Sequence, residues 1–390
     1  MKALICGAGI TGLALAGQLD RKGWDVVVVD IAPAPRPQGY MIDFSGPGFE
    51  AMHRMGLGER LRDAASSVDT FRYVDGSGHT TVSVRYDLFV KALNGEIVSI
   101  MRPALERVLR ESLRDTVTIR YGVTVDAITD SSVRLSDATE LHPDLIVGAD
   151  GIHSRIRSLV FGEENEYVRD LGMRTNAFIF HDREIYDAVD GQFVLTETLD
   201  RQMGFYGLGE GRIATFSVYR TTDPSPQTDS REELLSQLSG MGELVERALA
   251  KAPPSQEMYD DQVAQIELPR WTSGRVVLVG DAAYAVSLVA GQGASLGVAG
   301  AYLLGELLPS ARDVPNALLE YERRWRPETT KVQAAARDRV VEWFLPRSRT
   351  TLMLRRWGFR AMHIPGLSRV MTGSLLPKDH RSLAELSRAS

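Results

Sequence analysis

Three short stretches place glycine and aspartate where a phosphorylated ligand could be gripped. The first is Gly7-Ala8-Gly9-Ile10-Thr11-Gly12, with Asp30 further on. In a G-x-G-x-x-G turn the first glycine permits a tight bend, the second lets backbone N–H groups approach a pyrophosphate, and the third lets helix and strand pack closely. The helix that starts there turns its partial positive end toward the phosphates. An acid closing the next strand can accept bonds from a ribose. The second stretch is Asp150-Gly151, and the third is Gly280-Asp281, trailed by Gly291, Gln292 and Gly293. An aspartate that ends a strand can accept bonds from ligand hydroxyls, and a glycine-rich loop can bring backbone N–H groups to a ring. Taken singly, Asp150-Gly151 also reads as an everyday turn and Gly280-Asp281 as a helix cap.

These corners can act together only if buried strands deliver them to one place. Lys2 to Cys6 is an apolar run, Leu13 to Leu19 an Ala/Leu-rich helix broken at Gly23, and Val26 to Val29 a second buried strand ending in Asp30. Leu145 to Gly148 runs into Asp150-Gly151, and Arg275 to Val279 runs into Gly280-Asp281. In an open α/β sheet, ligands bind at the carboxyl ends of the strands. Three corners along one edge imply a long ligand, and FAD fits that better than a short nucleotide.

The rest of the chain has a different texture. Residues 71–86 alternate apolar and polar around Asp75-Gly76-Ser77-Gly78, a hairpin signal. From about 168 to 268, strand-like runs such as 177–180, 192–196, 203–208 and 213–219 alternate with turns, and 231–249 reads as a helical pair broken near Gly240. Helices are expected over 298–308, 317–325 and 332–344, followed by a basic, apolar tail with Arg347, Arg349, Arg355, Arg356 and Arg360 that is expected to pack on its own domain rather than on a partner or membrane. The pattern divides the chain into a discontinuous FAD-binding domain (1–70, 95–165 and 270–340), a substrate domain (71–94 and 166–269) and a helical tail (341–390).

Composition sets outer bounds. With 390 residues the chain calls for two or three lobes. A formal net charge of -6 gives no general attraction to nucleic acid or anionic membrane. Cys6 is the single cysteine, so a disulfide framework and a cysteine-based metal site are excluded. The seven histidines are scattered without metal-ligand spacing, and no metal is expected. Residue 2 already opens a strand, so a signal peptide is not expected, and no apolar run is long enough to span a bilayer. The expected setting is the cytoplasm, as a monomer or weak homodimer.

The motifs at 7–12, 144–157 (D-L-I-V-G-A-D-G-I-H-S-R-I-R) and 280–297 (G-D-A-A-Y-A-V-S-L-V-A-G-Q-G-A-S-L-G) resemble those of the class A flavoprotein monooxygenases, the p-hydroxybenzoate hydroxylase-like family. The resemblance runs from Met1 to about Arg337. It implies an α/β fold: a Rossmann-like FAD-binding domain of the GR2 type, an inserted mixed or antiparallel sheet for substrate, and a helical C-terminal region. It also assigns residues. Gly7, Gly9 and Gly12 would line the pyrophosphate, and Asp30 would hold the adenosine ribose where the family usually has Glu. Arg36 and Arg102 would lie near the ribityl and pyrophosphate groups. Gly280-Asp281 would serve the ribityl or pyrophosphate region, Gly291, Gln292 and Gly293 the isoalloxazine, and Asp150 both FAD and NADPH. Arg155 shares that motif. Residues 36–56, with G-Y-M-I-D-F and E-A-M-H-R-M-G, are similar to the tetracycline-inactivating branch, which would place Asp43 near the flavin.

The activity so implied is NAD(P)H- and O2-dependent hydroxylation or epoxidation of a small aromatic or polyketide-like molecule of secondary metabolism, through a flavin C4a-hydroperoxide and without a catalytic protein nucleophile. Phe178, Phe205, Phe216 and Tyr219 are candidate substrate contacts, although each also reads as a core aromatic. The chain departs from the family at Tyr284 (commonly His), Leu288 (Pro), Ser295 (often Asn) and Gly300 (Asp). Tyr284 and Leu288 motivate an alternative in which FAD is retained for a non-oxygenating cyclisation or reduction. A halogenase is disfavoured because no W-x-W-x-I-P stretch exists among the five tryptophans. A redox-sensing module would require a buried flavin without an open pocket.

Overall fold

The computed structural model describes residues 1–37, 39–222, 229–310, 312–337, 341–361 and 381–388. The valine- and isoleucine-rich runs near the start, at 145 and at 276 form the centre of a six-stranded sheet. Its order is Thr272–Ser273, Val276–Leu278, Leu145–Gly148, Lys2–Cys6, Asp25–Asp30, Thr118–Tyr121. All neighbours are parallel except the Thr272–Ser273 edge. Such strands are buried on both faces, which is why they read as unbroken apolar runs rather than alternating ones. The register puts Cys6 beside Gly148 and Gly148 beside Leu278. The three corners therefore leave the sheet side by side at one edge.

A second sheet, of eight strands, is mixed. Its order is Tyr259–Ile266, Val168–Ala177, Arg212–Arg220, Arg201–Gly207, Gln192–Thr198, Thr70–Val74, Thr80–Arg85, with Ile179–His181 paired to Arg212–Arg220. Here the period of two is visible in burial. Ile213 and Tyr219 on one strand, and Met203 and Phe205 on the next, join a core with Leu234, Leu238 and Val245 from the helices behind the sheet. Residues one step out of phase, such as Gln202 and Phe216, face the other way, into a cavity. A two-stranded ribbon, Met41–Ser45 with Ile97–Met101, links the two sheets. The hydroxyl of Tyr206 accepts from the Met41 N–H at 2.6 Å.

One stretch departs from the sequence pattern. Where helices are expected at 317–325 and 332–344, the first continues without a break as Val314–Ala335, through Pro327, and a separate short helix follows at Val341–Phe344. A proline there removes one backbone bond and crowds the preceding turn, but burial on both sides holds the helix together. Trp325, Glu328 and Thr329 are buried. Arg326 donates to the Leu268 carbonyl at 2.7 Å and stacks over Trp271 at 4.6 Å. The tail folds back on the molecule, as expected. Arg349–Ala361 buries Arg355 and Gly358, and Leu383–Ser387 buries Leu383 and Leu386 in the main core. Among the described residues no helix is long and apolar enough to cross a membrane.

Tyr284 and Gly300 turn out to be one packing unit. The Tyr284 hydroxyl lies 3.1 Å from that of Tyr321, and its ring packs on Trp271 at 4.8 Å. A Cβ on Gly300 would run into the Tyr284 hydroxyl and lie 2.7 Å from Trp325 Nε1. Both departures thus lie in the interior. Gly300→Ala should lower stability by about 1–3 kcal/mol, with part recovered when Tyr284→Phe removes the obstructing hydroxyl. A double-mutant cycle on thermal or denaturant unfolding measures the coupling; additive effects would refute the shared packing.

Candidate active site

The edge where the three corners emerge is a groove in two connected stretches. The first is lined by Gly7, Gly9, Asp30, Arg36 and Asp150. The second is lined by Thr175, Asp281, Ser287, Gly291 and Gly293. Gly9, Arg102, Gly151 and Tyr259 line both. The second stretch opens into a cavity of about 370 Å³, and Tyr40, Ile42, Leu288 and Gly291 line both spaces. Gly9, Asp150 and Asp281 thus belong to one continuous surface.

The glycines of the first corner divide by task. Gly7 holds φ +110°, and a Cβ there would press into the backbone of Ala149 and Asp150. A Cβ on Gly12 would collide with the Gly7 carbonyl oxygen. A Cβ on Gly9 would meet nothing within 4 Å. Gly7 and Gly12 therefore build the corner, while Gly9 leaves space beside it. The helix Ile10–Arg21 begins there with no acid in its first turn, so its positive end is uncompensated. Asp30 accepts from the Ala8 N–H at 2.7 Å and the Ala32 N–H at 2.8 Å, fixing the turn while facing the groove. Arg36 stands exposed at the lip.

At the second corner the Asp150 carboxylate is already engaged. It accepts from Ser154 Oγ at 2.5 Å and the Ile156 N–H at 3.1 Å, at the start of the helix Arg155–Val160. Burial pushes its carboxyl up against these bonds. Arg157 closes the motif at 144–157, but the sequence assigned it no role. It is fully buried and donates to the carbonyls of Ala282, at 3.0 Å, and Ile152, tying the second corner to the third. Arg155 is exposed on the groove wall.

At the third corner, burial pushes the Asp281 carboxyl up, Arg102 pulls it down and Asp261 pushes it up again. Tyr40 and Tyr259, 5.7 Å apart, flank this pair. Gly280 packs against Thr11 rather than lining the groove, and Gln292 precedes the helix Gly293–Leu307 without a side-chain bond to its first turn. Two hydroxyls on this stretch, Thr175 Oγ1 and Ser287 Oγ, are buried without a hydrogen-bond partner among the described residues. Ser287 is held at φ 77° and ψ 151°, a conformation that strains any residue but glycine. Ser295 accepts from the Gly48 N–H at 2.9 Å and donates to the Ser45 carbonyl at 2.6 Å, fastening the ribbon to the third corner's helix.

The cavity sorts five of the sequence candidates. Asp43 lines the cavity rather than the groove, and its carboxylate accepts from Ser99 Oγ at 2.5 Å and Tyr86 OH at 3.3 Å. Of the four candidate aromatics only Phe216 reaches the cavity. Phe178, Phe205 and Tyr219 lie in the core behind the sheet: the alternation sets Tyr219 out of phase with Phe216 and Phe205 out of phase with Gln202, and Phe178 sits between two strands. The walls instead come from Phe71, Tyr73 and Phe193 of the sheet and from Trp343, Phe344 and Phe359 of the tail.

A family model described as "FAD binding domain" matches residues 1–336. The FAD-dependent monooxygenase asL6 of Sarocladium schorii is 30% identical over 369 residues, covering 85% of this chain and 86% of its own. The crystal structure of tetracycline destructase Tet(55) superposes with a TM-score of 0.81 at 24% identity, covering 97% of this chain and 98% of that one. Klebsiella pneumoniae HpxO, solved with FAD and uric acid, superposes at 0.77 with 22% identity and 96% coverage of both chains.

Two outcomes follow from this geometry. Gly12→Ala should unfold several degrees below the parent protein, since overpacking costs about 1–3 kcal/mol, whereas Gly9→Ala should unfold at the parent temperature; equal losses would contradict the division of tasks. His153 bonds to Asp261 at 3.3 Å and Glu164 at 2.8 Å, and these carboxylates, Asp261 foremost, raise its pKa from 6.5 to about 9. A raised pKa stabilises the fold fully below about 6.5 and loses that contribution as pH rises through about 9. Melting temperature should therefore fall more steeply across that window in the parent than in His153→Gln; parallel curves would show that the imidazolium bridge contributes nothing.

Proposed function

The chain belongs to the FAD-binding-domain family of FAD-dependent monooxygenases, and on that premise we propose that its groove holds FAD end to end and its aromatic cavity holds the substrate. The observation that carries the reading is continuity: the two groove stretches and the cavity share walls from Asp30 to Leu288. The residues fit such a cofactor. Gly9 leaves a cradle that a side chain would fill, and Thr175 and Ser287 offer hydroxyls that lack a protein partner among the described residues.

In this arrangement the N–H groups of the first corner and the start of the helix Ile10–Arg21 receive the pyrophosphate, with Arg36 adding charge from the lip. The free lone pairs of Asp30 serve the adenosine ribose. Arg102 and Asp281 hold the middle of the molecule, and Gly291 and Gly293 admit the ring. Asp150 acts through the second corner's shape, since its oxygens are spent on Ser154 and Ile156.

When bound, FAD would supply electron uptake from NADPH or NADH and activation of O2, with one oxygen atom going to an aromatic or polyketide-like substrate and the other leaving as water. The chain's own part is orientation and exclusion of water. Phe216, Trp343, Phe344 and Phe359 surround the substrate with apolar surface, and Leu288 stands where cofactor groove and cavity meet.

Asp281→Ala should purify with at most about a tenth of the parent's flavin, judged from losing charge-assisted bonds of about 1.5–3 kcal/mol. Gly9→Leu should lose flavin as completely while keeping the parent's ligand-free melting temperature. Flavin absorbance per protein reads both, and an Asp281→Ala protein that stays yellow and fully loaded would overturn the placement. Oxygen uptake with NADPH and converted substrate tests the reaction; conversion without oxygen would favour the non-oxygenating alternative, for which Leu288 at the junction remains the motive.

A further inference from the structure

The cavity's polar groups are few and unevenly placed. Asp43, next in sequence to Ile42, which lines groove and cavity alike, is an acceptor fixed by Ser99 and Tyr86 and open to the cavity. Apart from Tyr40, Tyr73 and Trp343, whose polar atoms are carried on aromatic rings, the other polar wall residues are Gln202 and Arg355. Gln202 is 2% exposed, and its Nε2 has no hydrogen-bond partner among the described residues. Arg355 is 3% exposed; it donates to the carbonyls of Trp343 and Phe344 and pairs with Glu197, yet its Nε also lacks a partner among the described residues. Two buried N–H donors without acceptors on one wall are costly unless a ligand answers them.

Charge sharpens the contrast between the two ends. Glu197 lies opposite Gln202 in the strand register. Both Arg355 and Arg356 pair with that one carboxylate, Arg356 at 2.8 Å. Two guanidinium groups against one carboxylate leave this end net positive. The ends are also well separated. Tyr206, which touches Met41 on the Asp43 ribbon, lies four residues along the strand from Gln202. That is roughly 13 Å in extended backbone. The other walls are apolar, nine aromatic residues set among aliphatic ones, and suit a flat, fused ring system.

We infer that the cavity selects a fused-ring aromatic carrying a hydroxyl donor for Asp43 at the groove end and an oxygen acceptor of anionic character for Gln202 and Arg355 at the far end. This rests on the reading of the cavity as the substrate site. It assigns orientation as well as class: the anionic end is drawn to Arg355 and kept from Asp43, so the hydroxyl-bearing ring is presented to the groove. Asp43 and Gln202 are then specificity-determining residues.

Three probes separate the contributions: 6-hydroxy-2-naphthoic acid, its 6-methoxy analogue, which lacks the donor, and 2-naphthol, which lacks the far acceptor. On the flavin-loaded protein, calorimetry should show the first binding about tenfold or more tighter than either of the others. Asp43→Asn should erase the preference over the methoxy analogue and leave that over 2-naphthol. Gln202→Leu should do the reverse without lowering the melting temperature, because it removes a buried group that has no partner. Equal affinity for the three probes, or variants that erode both preferences alike, would overturn the inference. Flavin absorbance of the same samples reports the groove separately. Loaded protein without probe preference sinks the inference alone, whereas preference in protein that never takes up flavin sinks the cofactor reading and leaves the inference standing.

Discussion

The architecture depends on one close approach between backbones. Cys6, Gly148 and Leu278 are neighbours in a parallel register, so the chain must turn three times within the same small volume. The Ala149 N–H donates to the Cys6 carbonyl at 2.7 Å, and the Val279 N–H to the Gly148 carbonyl at 2.9 Å. No side chain fits between the first two turns, which is why Gly7 faces Ala149 and Gly12 faces the Gly7 carbonyl. The groove is a consequence of this crowding. Turns pressed together on their inner sides leave their N–H groups, one helix terminus and a line of carboxylates facing outward along one edge.

That constraint explains what could be read from the chain alone. A parallel strand buried on both faces writes itself as a continuous apolar run, and a tight corner writes itself as glycine with aspartate, so the first sheet and the groove were legible at Gly9, Asp30 and Asp281. The second sheet was legible only in part. Its alternation showed which residues share a face. It carried no mark of which face meets helices and which meets a cavity, so Phe205 and Tyr219 were as plausible as Phe216. Residues that act through long-range packing left no local trace at all. Arg157, which joins two corners through the Ala282 and Ile152 carbonyls, looks like any helix arginine. The helix through Pro327 was illegible for the opposite reason: proline's local rule opposes it, and tertiary burial of Trp325 and Thr329 overrides that rule.

The departures from the family pattern separate once they are placed. Tyr284 and Gly300 compensate each other in the interior, where the larger ring occupies space that the missing side chain vacates. Ser295 keeps a fastening role through the Ser45 carbonyl and the Gly48 N–H. Only Leu288 faces both groove and cavity. An argument that oxygen chemistry is altered in this chain must therefore stand on residue 288 and the strained Ser287 beside it, and can draw nothing from Tyr284.

The cavity differs from the groove in how it is assembled, and this bears on how the two diverge. The groove is built by short turns that one sheet holds in register, so few of its residues can change without loss of the fold. The cavity is closed by segments far apart in the chain: the Asp43 ribbon, the inward face of the second sheet, and tail helices fastened by Arg355 and Arg356 to the buried Glu197. A buried ion pair of this kind is poor evidence of added stability, but removing either partner strands a charge at a cost of about 3–5 kcal/mol. The pair fixes where the tail sits while leaving the identity of Trp343, Phe344 and Phe359 free to vary. Specificity can then be rewritten in the tail and on one face of the second sheet, while the glycine corners, bound by backbone contact, keep the groove unchanged.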